Sequence, residues 1–318
     1  MSGQLWRRLR SVFLVAGTSI LFATGCGSKY FVLNPAGPVA QKELHVIEWS
    51  AILTLIVIVP TLVLLAVIVW RYRDKPGNKA RYTPEWSESK KLEFVWWGIP
   101  ILIIAILGAY TGKVTFALTQ PPQKDAKPIT IYVTSLDWKW LFQYPGQKVA
   151  TVNYVEIPTG VPVNFELTSD APMNSFWIPS LGGQEYTMPG MATRLWLEAD
   201  KGGTYYGHGA NFTGKGFADM SFSVIATSQS QFNQWVSQVK AASPALTKAM
   251  YQKLKQPSTV GKISYSSFPP NLFNDTIWAE GGQYMQNAMP SNSSTVATPT
   301  NGAMSGMAGM NQDQKDAK

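Results

Sequence analysis

The chain opens with three apolar runs and then changes to short alternating segments. The first run, "RRLRSVFLVAGTSILFATGC", has a basic start, a short apolar stretch and small residues at its end. That pattern predicts an export signal over residues 1–25 rather than a membrane span. The second, "AILTLIVIVPTLVLLAVIVW", carries no charge from Ala51 to Trp70. About twenty such residues at 1.5 Å rise cross a hydrocarbon core of roughly 30 Å, so 51–70 is a predicted transmembrane helix, with Pro60 a point of kinking. The third, "FVWWGIPILIIAILGAY", begins at Phe94 and continues to Ala117, with Pro100 in its first half. Trp70, Tyr72, Trp96 and Trp97 then share one end of a hairpin, as an interfacial aromatic belt does.

Beyond Lys127 the period changes. "ITIYVTS", "WKWLFQY", "VATVNYV", "VPVNFELTS", "TRLWLEA" and "MSFSVIA" alternate or are β-branched and aromatic. Turn signals such as "YPGQ", "IPTGVP", "SDAP" and "ADKGG" separate them. Residues 127–227 are therefore expected to form a small all-β sandwich or barrel. Residues 228–289 contain two amphipathic stretches, "SQSQFNQWVSQVKAA" and "PALTKAMYQKLKQ", read as short helices. From 290 to 318 little remains but Ser, Thr, Asn, Gly and Met, a composition expected to be disordered. The expected fold class is membrane-anchored α+β: a two-helix transmembrane hairpin, an exported all-β domain and short C-terminal helices.

Charge sets the topology. The loop 71–93 that joins the two spans holds Arg71, Arg73, Lys75, Lys79, Arg81, Lys90 and Lys91, against Asp74, Glu85, Glu88 and Glu93. Lysine and arginine excess marks the cytoplasmic side, so 26–50 and everything after 118 are expected outside. Positive charge gathered in one loop, rather than striped over a folded face, argues against nucleic acid as a partner. The chain has one cysteine and two histidines, too few for a cysteine-rich zinc site or an internal disulfide. The cysteine, Cys26, follows "LFATG" directly. This resembles a bacterial lipobox, with Ala23 where leucine is commonest, and implies lipid on Cys26.

A two-span hairpin followed by an exported β domain resembles subunit II of the haem–copper respiratory oxidases. "DWKWLFQYP" resembles the aromatic strand of that family. "NSFWIPSLGGQEYTMPGMATRLWL" and "YYGHGANFTGKGFADMSF" resemble the two segments that carry its binuclear CuA centre. The likeness runs from Cys26 to about Met289 and implies a cupredoxin fold for 127–227. In copper-bearing members the centre is built from two histidines, two bridging cysteines, a methionine and a backbone carbonyl. Here the histidine positions are Asn174 and Phe217, and the cysteine positions are Gly209 and Thr213. Met220 remains, and Asn211 offers the carbonyl. His208 is one residue out of place. Two thiolates are needed to hold such a copper pair, so this chain is expected to bind no metal or other cofactor.

Without CuA the resemblance narrows to subunit II of cytochrome bo-type ubiquinol oxidases. "WRYR", "MNSF", "KGFADM" and "PPNLFNDTIW" agree with it. The resemblance implies a proton-pumping complex that oxidises ubiquinol and reduces oxygen to water. Haems and a copper are expected in subunit I, with subunits III and IV as further partners and no docking of cytochrome c. The complex would sit in a bacterial cytoplasmic membrane with the β domain in the periplasm. Glu93, in "SKKLEFVWWGIP", matches a glutamate at the mouth of the family's proton channel. Trp138 and Trp140 occupy the strand where relatives receive electrons, and are read here as packing residues. Met304, Met307 and Met310 are thioethers able to hold Cu(I), in a stretch read as a plain tail. His45 is read as an interfacial polar residue. Two rivals are a cytochrome c oxidase subunit II, which needs the missing ligands, and a free-standing cupredoxin-domain lipoprotein or oxidase assembly factor.

Overall fold

The computed structural model describes residues 31–81, 83–123 and 126–281. Residues 1–30 with Cys26, and 282–318 with the methionine run, lie outside the described residues. The chain divides into two compact units, the second starting at Thr115, with the short segment Pro179–Gly182 grouped with the first.

The first unit carries two long helices, α1 (Pro38–Arg71) and all but the last turn of α2 (Lys90–Leu118). Pro38 opens α1, where its fixed φ suits a first helical turn and its missing N–H costs nothing. The 34 residues of α1 span about 51 Å, more than a bilayer core needs. Its first turns carry Lys42, Glu43, His45 and Glu48. The uncharged run starting at Ala51 therefore marks a change of composition, not the start of the helix. Helix continues through Pro60 and Pro100. Each proline removes one N–H from the ladder, which transmembrane helices tolerate. Both helices expose nearly all their apolar side chains and are long and apolar enough to cross a membrane.

The second unit is a two-sheet sandwich. Its strands are β1 (Ile129–Leu136), β2 (Lys139–Tyr144), β3 (Val149–Val152), β4 (Tyr154–Pro158), β5 (Val163–Ser169), β6 (Asn174–Trp177), β7 (Glu185–Thr187), β8 (Thr193–Leu197), β9 (Gly203–Gly209) and β10 (Ser221–Thr227). Three helices and one more strand follow: α3 (Gln229–Ala242), α4 (Lys248–Leu254), β11 (Ile263–Tyr265) and α5 (Leu272–Ala279). One sheet has the order β11-β3-β2-β1-β5-β8 and the other β4-β10-β9-β6-β7. The β1–β5 and β4–β10 pairs are parallel; the rest are antiparallel.

The segment "VATVNYV", which reads as one strand, is two. Asn153 takes a left-handed conformation (φ 57°) that asparagine tolerates better than most residues. Its Oδ1 accepts from the Trp140 N–H at 3.0 Å and its Nδ2 donates to the Val260 carbonyl at 2.7 Å. The chain thus leaves one sheet at Val152 and enters the other at Tyr154. Between the sheets lie Trp140, Phe142, Phe165, Phe176 and Phe222, with Phe176 and Phe222 stacked at 5.0 Å.

The outer face of the first sheet is also buried. Leu136, Leu141, Ala150 and Val152 pack under Leu246, Tyr251, Leu254, Tyr265 and Leu272 of the C-terminal region. Strand β2 is therefore buried on both faces, and its alternation is lost. Lys139 lies in that outer row. Its ammonium donates to the carbonyls of Asp137, Gln256 and Ser258 at 2.8–2.9 Å, and burial lowers its pKa. Helix α5 falls in "NLFNDTIW", where no helix was legible, because eight residues after two prolines are too few to show a period.

Candidate functional site

The three neighbouring strands β10, β9 and β6 bring together the residues at the copper-ligand positions. Asn174 opens β6, Gly209 closes β9, and Met220 stands one residue before β10. Gly209 N–H donates to the Met220 carbonyl at 3.1 Å, and Ala210 N–H to the Ser175 carbonyl at 3.0 Å. These bonds hold the end of β9 against both neighbours.

The Asn174 side chain is buried at the centre of this group. Its Nδ2 donates to the Met220 sulfur at 2.9 Å. Its Oδ1 accepts from the backbone N–H groups of Ser175 (2.8 Å) and Asn211 (3.4 Å). The Ser175 hydroxyl in turn donates to Asn211 Oδ1 at 2.9 Å. A Cβ on Gly209 would come within 2.9 Å of Asn174 Oδ1. Gly209 is outside the left-handed region, so what glycine supplies here is room for the Asn174 amide. Two residues earlier, Gly207 leaves space for the Phe222 ring, which a Cβ would approach to 2.2 Å.

The strand alternation turns His208 to the opposite face from Gly207 and Gly209. There it stacks with Tyr206 and meets the Trp177 ring at a tilt, both at 5.2 Å between ring centres, and its Nδ1 lies 2.8 Å from the Gly209 carbonyl oxygen.

Thr213 and Phe217 belong to the turn 210–220 and are held in other ways. The Thr213 carbonyl accepts from Trp138 Nε1 at 3.1 Å. Phe217 starts a single 3-10 turn to Asp219 and packs edge-on against Phe212 at 5.6 Å. Trp138 has φ 60°, a costly conformation for an aromatic residue, and its ring fills the space that a Cβ on Gly216 would occupy. Trp140 is fully buried between Phe176 and Phe222. Both tryptophans thus brace the turn and the core.

A binuclear copper centre needs two bridging thiolates, and positions 209 and 213 supply a bare Cα and a hydroxyl. An amide already engaged with Met220 occupies the place of one imidazole, and a phenyl ring that of the other. The residues present do not fit such a centre. Sequence reasoning missed the hub role of Asn174, because an asparagine in "MNSF" carries no mark of being buried. It also missed a cluster at the C-terminal helices. There the buried Asp170 pairs with Lys255 at 2.6 Å and accepts from the Tyr251 hydroxyl. Elsewhere in this unit burial pushes up the carboxyl pKa of Glu156, Glu166 and Glu198.

In the first unit, Glu93 is exposed in the first turn of α2, its N–H donating to the Ser89 carbonyl at 2.9 Å. His45 lies on the polar start of α1, with Nδ1 3.1 Å from Glu48 Oε2 and Nε2 3.3 Å from Gln41 Nε2.

Residues 147–227 match the family described as cytochrome C oxidase subunit II, periplasmic domain. That region spans the sandwich from β3 to β10 and agrees with a cupredoxin-like fold. Over the longer chain, quinol oxidase subunit 2 of Bacillus cereus is 46% identical over 250 residues, 78% of this chain and 86% of its own. Cytochrome bo(3) ubiquinol oxidase subunit 2 of Pseudomonas putida is 43% identical over 276 residues, 86% of each chain. Ubiquinol oxidase subunit 2 of Acetobacter aceti is 40% identical over 264 residues, covering 82% of this chain and 85% of its own.

Proposed function

The chain belongs to the subunit 2 family of quinol oxidases, and from that premise we propose that it is the redox-silent second subunit of a proton-pumping complex that oxidises ubiquinol and reduces oxygen to water. One observation carries the reading. At the copper positions, Asn174, Gly209, Asn211 and Met220 form a hydrogen-bonded group around the Asn174 amide, and Thr213 and Phe217 add no soft donor. A subunit II that lacks CuA gives cytochrome c no place to deliver electrons. The donor must then reach the haem-bearing subunit by another route, and a membrane quinol does so.

In this reading the chain binds no cofactor. Haems and a copper reside in subunit I, and subunits III and IV complete the assembly. The helices α1 and α2 anchor the chain in a bacterial cytoplasmic membrane, with the sandwich on the periplasmic side. Lipid on Cys26 adds a second anchor, and mass spectrometry of the mature N-terminus should find residue 26 carrying a diacylglyceryl group. Glu93 contributes the rim of the proton inlet. An exposed carboxylate at the start of a membrane helix is suited to exchange protons with water.

The test is to purify the assembly from native membranes through a tag on this chain. Haem-bearing subunit I should co-purify, and oxygen uptake should follow addition of quinol and not of reduced cytochrome c. Recovery of the chain without haem would instead favour a free-standing lipoprotein or assembly factor.

A further inference from the structure

The loop that follows α1 is built, not merely charged. Lys75-Pro76-Gly77-Asn78 closes as a turn, with the Asn78 N–H donating to the Lys75 carbonyl at 3.1 Å and Gly77 at φ 79°. Proline second and a positive-φ glycine third are the requirements of a type II turn. The Asn78 side chain then reaches back. Its Nδ2 donates to the carbonyls of Arg71 (3.1 Å) and Arg73 (3.0 Å), and its Oδ1 accepts from the Ala80 N–H at 2.9 Å. The loop lines an open pocket of about 440 Å³ whose walls include Trp70, Arg71, Arg73, Lys75 and Lys79.

Four cationic residues therefore line one open pocket. Asp74 does not line it, and neither does Glu85 or Glu88. Among the described residues none of the four cations is engaged in an ion pair. A helix C-terminus ordinarily repels anions through its unpaired carbonyls. Here the Arg71 carbonyl is capped by Asn78, and the cationic side chains oppose the negative end that remains. The Arg73 guanidinium lies over the Trp70 ring at 5.3 Å, fixed by a cation–π contact. Trp70 itself ends the uncharged run of α1.

We propose that the loop 71–80 is a binding site for a phosphate oxyanion, with the headgroup of an anionic phospholipid as its source. The chemistry is that of several cations converging on one tetrahedral anion in a pre-shaped loop, at the end of a membrane helix. This rests on α1 spanning the membrane, as in the function proposed above, though not on the identity of the electron donor.

The experiment uses the whole complex, washed free of lipid in non-ionic detergent and titrated with phosphatidylglycerol, phosphatidylcholine or inorganic phosphate. Bound molecules are counted by native mass spectrometry, and haem content confirms assembly. Phosphatidylglycerol should bind in clear preference to phosphatidylcholine. The triple variant Arg73→Gln/Lys75→Gln/Lys79→Gln should weaken it about a hundredfold. Asn78→Ala leaves every charge in place and removes the brace, and should weaken binding about tenfold. If millimolar inorganic phosphate displaces the lipid and binds by itself, the occupant is a soluble phosphate. If it does not displace it, the occupant is the lipid. The first result keeps the oxyanion site and overturns its lipid source; the second supports both. Equal binding of the two lipids, or an unaffected triple variant, would overturn it. An unaffected Asn78→Ala variant would also do so, by showing only diffuse attraction between a basic loop and an anionic surface. Should the chain fail to co-purify with haem, the oxidase reading falls. The same titration on the chain alone in detergent then still decides the loop.

Discussion

Glu93 and Glu166 are carboxylates in opposite surroundings, one exposed at the start of a long apolar helix and one buried on the outer face of a sheet. For Glu93, exposed in the first turn of α2, replacement by alanine removes a proton acceptor without disturbing packing. Turnover of the complex with quinol should fall about tenfold or more, within the range general acid–base groups command. Haem content should stay normal and Glu93→Asp should be milder; full activity in the alanine variant would remove Glu93 from the inlet. For Glu166, burial raises the carboxyl pKa, with Arg194 at 3.8 Å and Asn164 pulling it back. Its folded pKa thus exceeds the unfolded value of about 4.3. Between the two, the folded form holds a proton that the unfolded chain has released, so stability falls as pH rises through that window. Glu166→Gln should therefore gain stability relative to the parent chain as pH rises above about 4, with no further change below it. Urea unfolding of a fragment carrying residues 126–281, at a series of pH values, checks the sign. A variant that loses ground as pH rises would show that the Arg194 pair outweighs the burial.

At the scale of elements, the turn between β9 and β10 keeps the frame of a metal loop around a hydrogen-bonded filling. Gly209→Cys alone places a side chain where the Asn174 amide sits, and should cost about 1–3 kcal/mol through overpacking. Asn174→His, Gly209→Cys, Thr213→Cys and Phe217→His together restore the ligand types, with Met220 and the Asn211 carbonyl in place. That variant should take up two coppers and show a thiolate-to-copper absorption band. A folded variant that binds none would mean that 207–220 has drifted from the family's geometry. Much of this framework was legible. The strands of β1, β2, β5, β8 and β10 announce themselves by alternation or by β-branched and aromatic residues. Strand β9 did not, because "GGTYYGHG" reads as turn; its glycines are there for close approach to Phe222 and Asn174, which only the packed sheet reveals. The break at Asn153 was hidden for the same reason, since a left-handed residue between two β-rich halves has no period of its own. The missing thiolates, by contrast, were legible from the cysteine inventory, while the buried amide at the place of one imidazole was not.

At the scale of the whole molecule, two exposed apolar helices and a sandwich with its own core form a subunit built to attach and brace. The C-terminal region closes the outer face of one sheet, which gives this chain more buried area than a bare sandwich would have. The central claim is that electrons bypass this subunit. The most direct measurement is the copper content of the intact complex purified through this chain, read with its near-infrared absorption. The account predicts a single copper per complex, belonging to the haem-bearing subunit, and no thiolate–copper band. Two further coppers per complex, accompanied by that band, would contradict it.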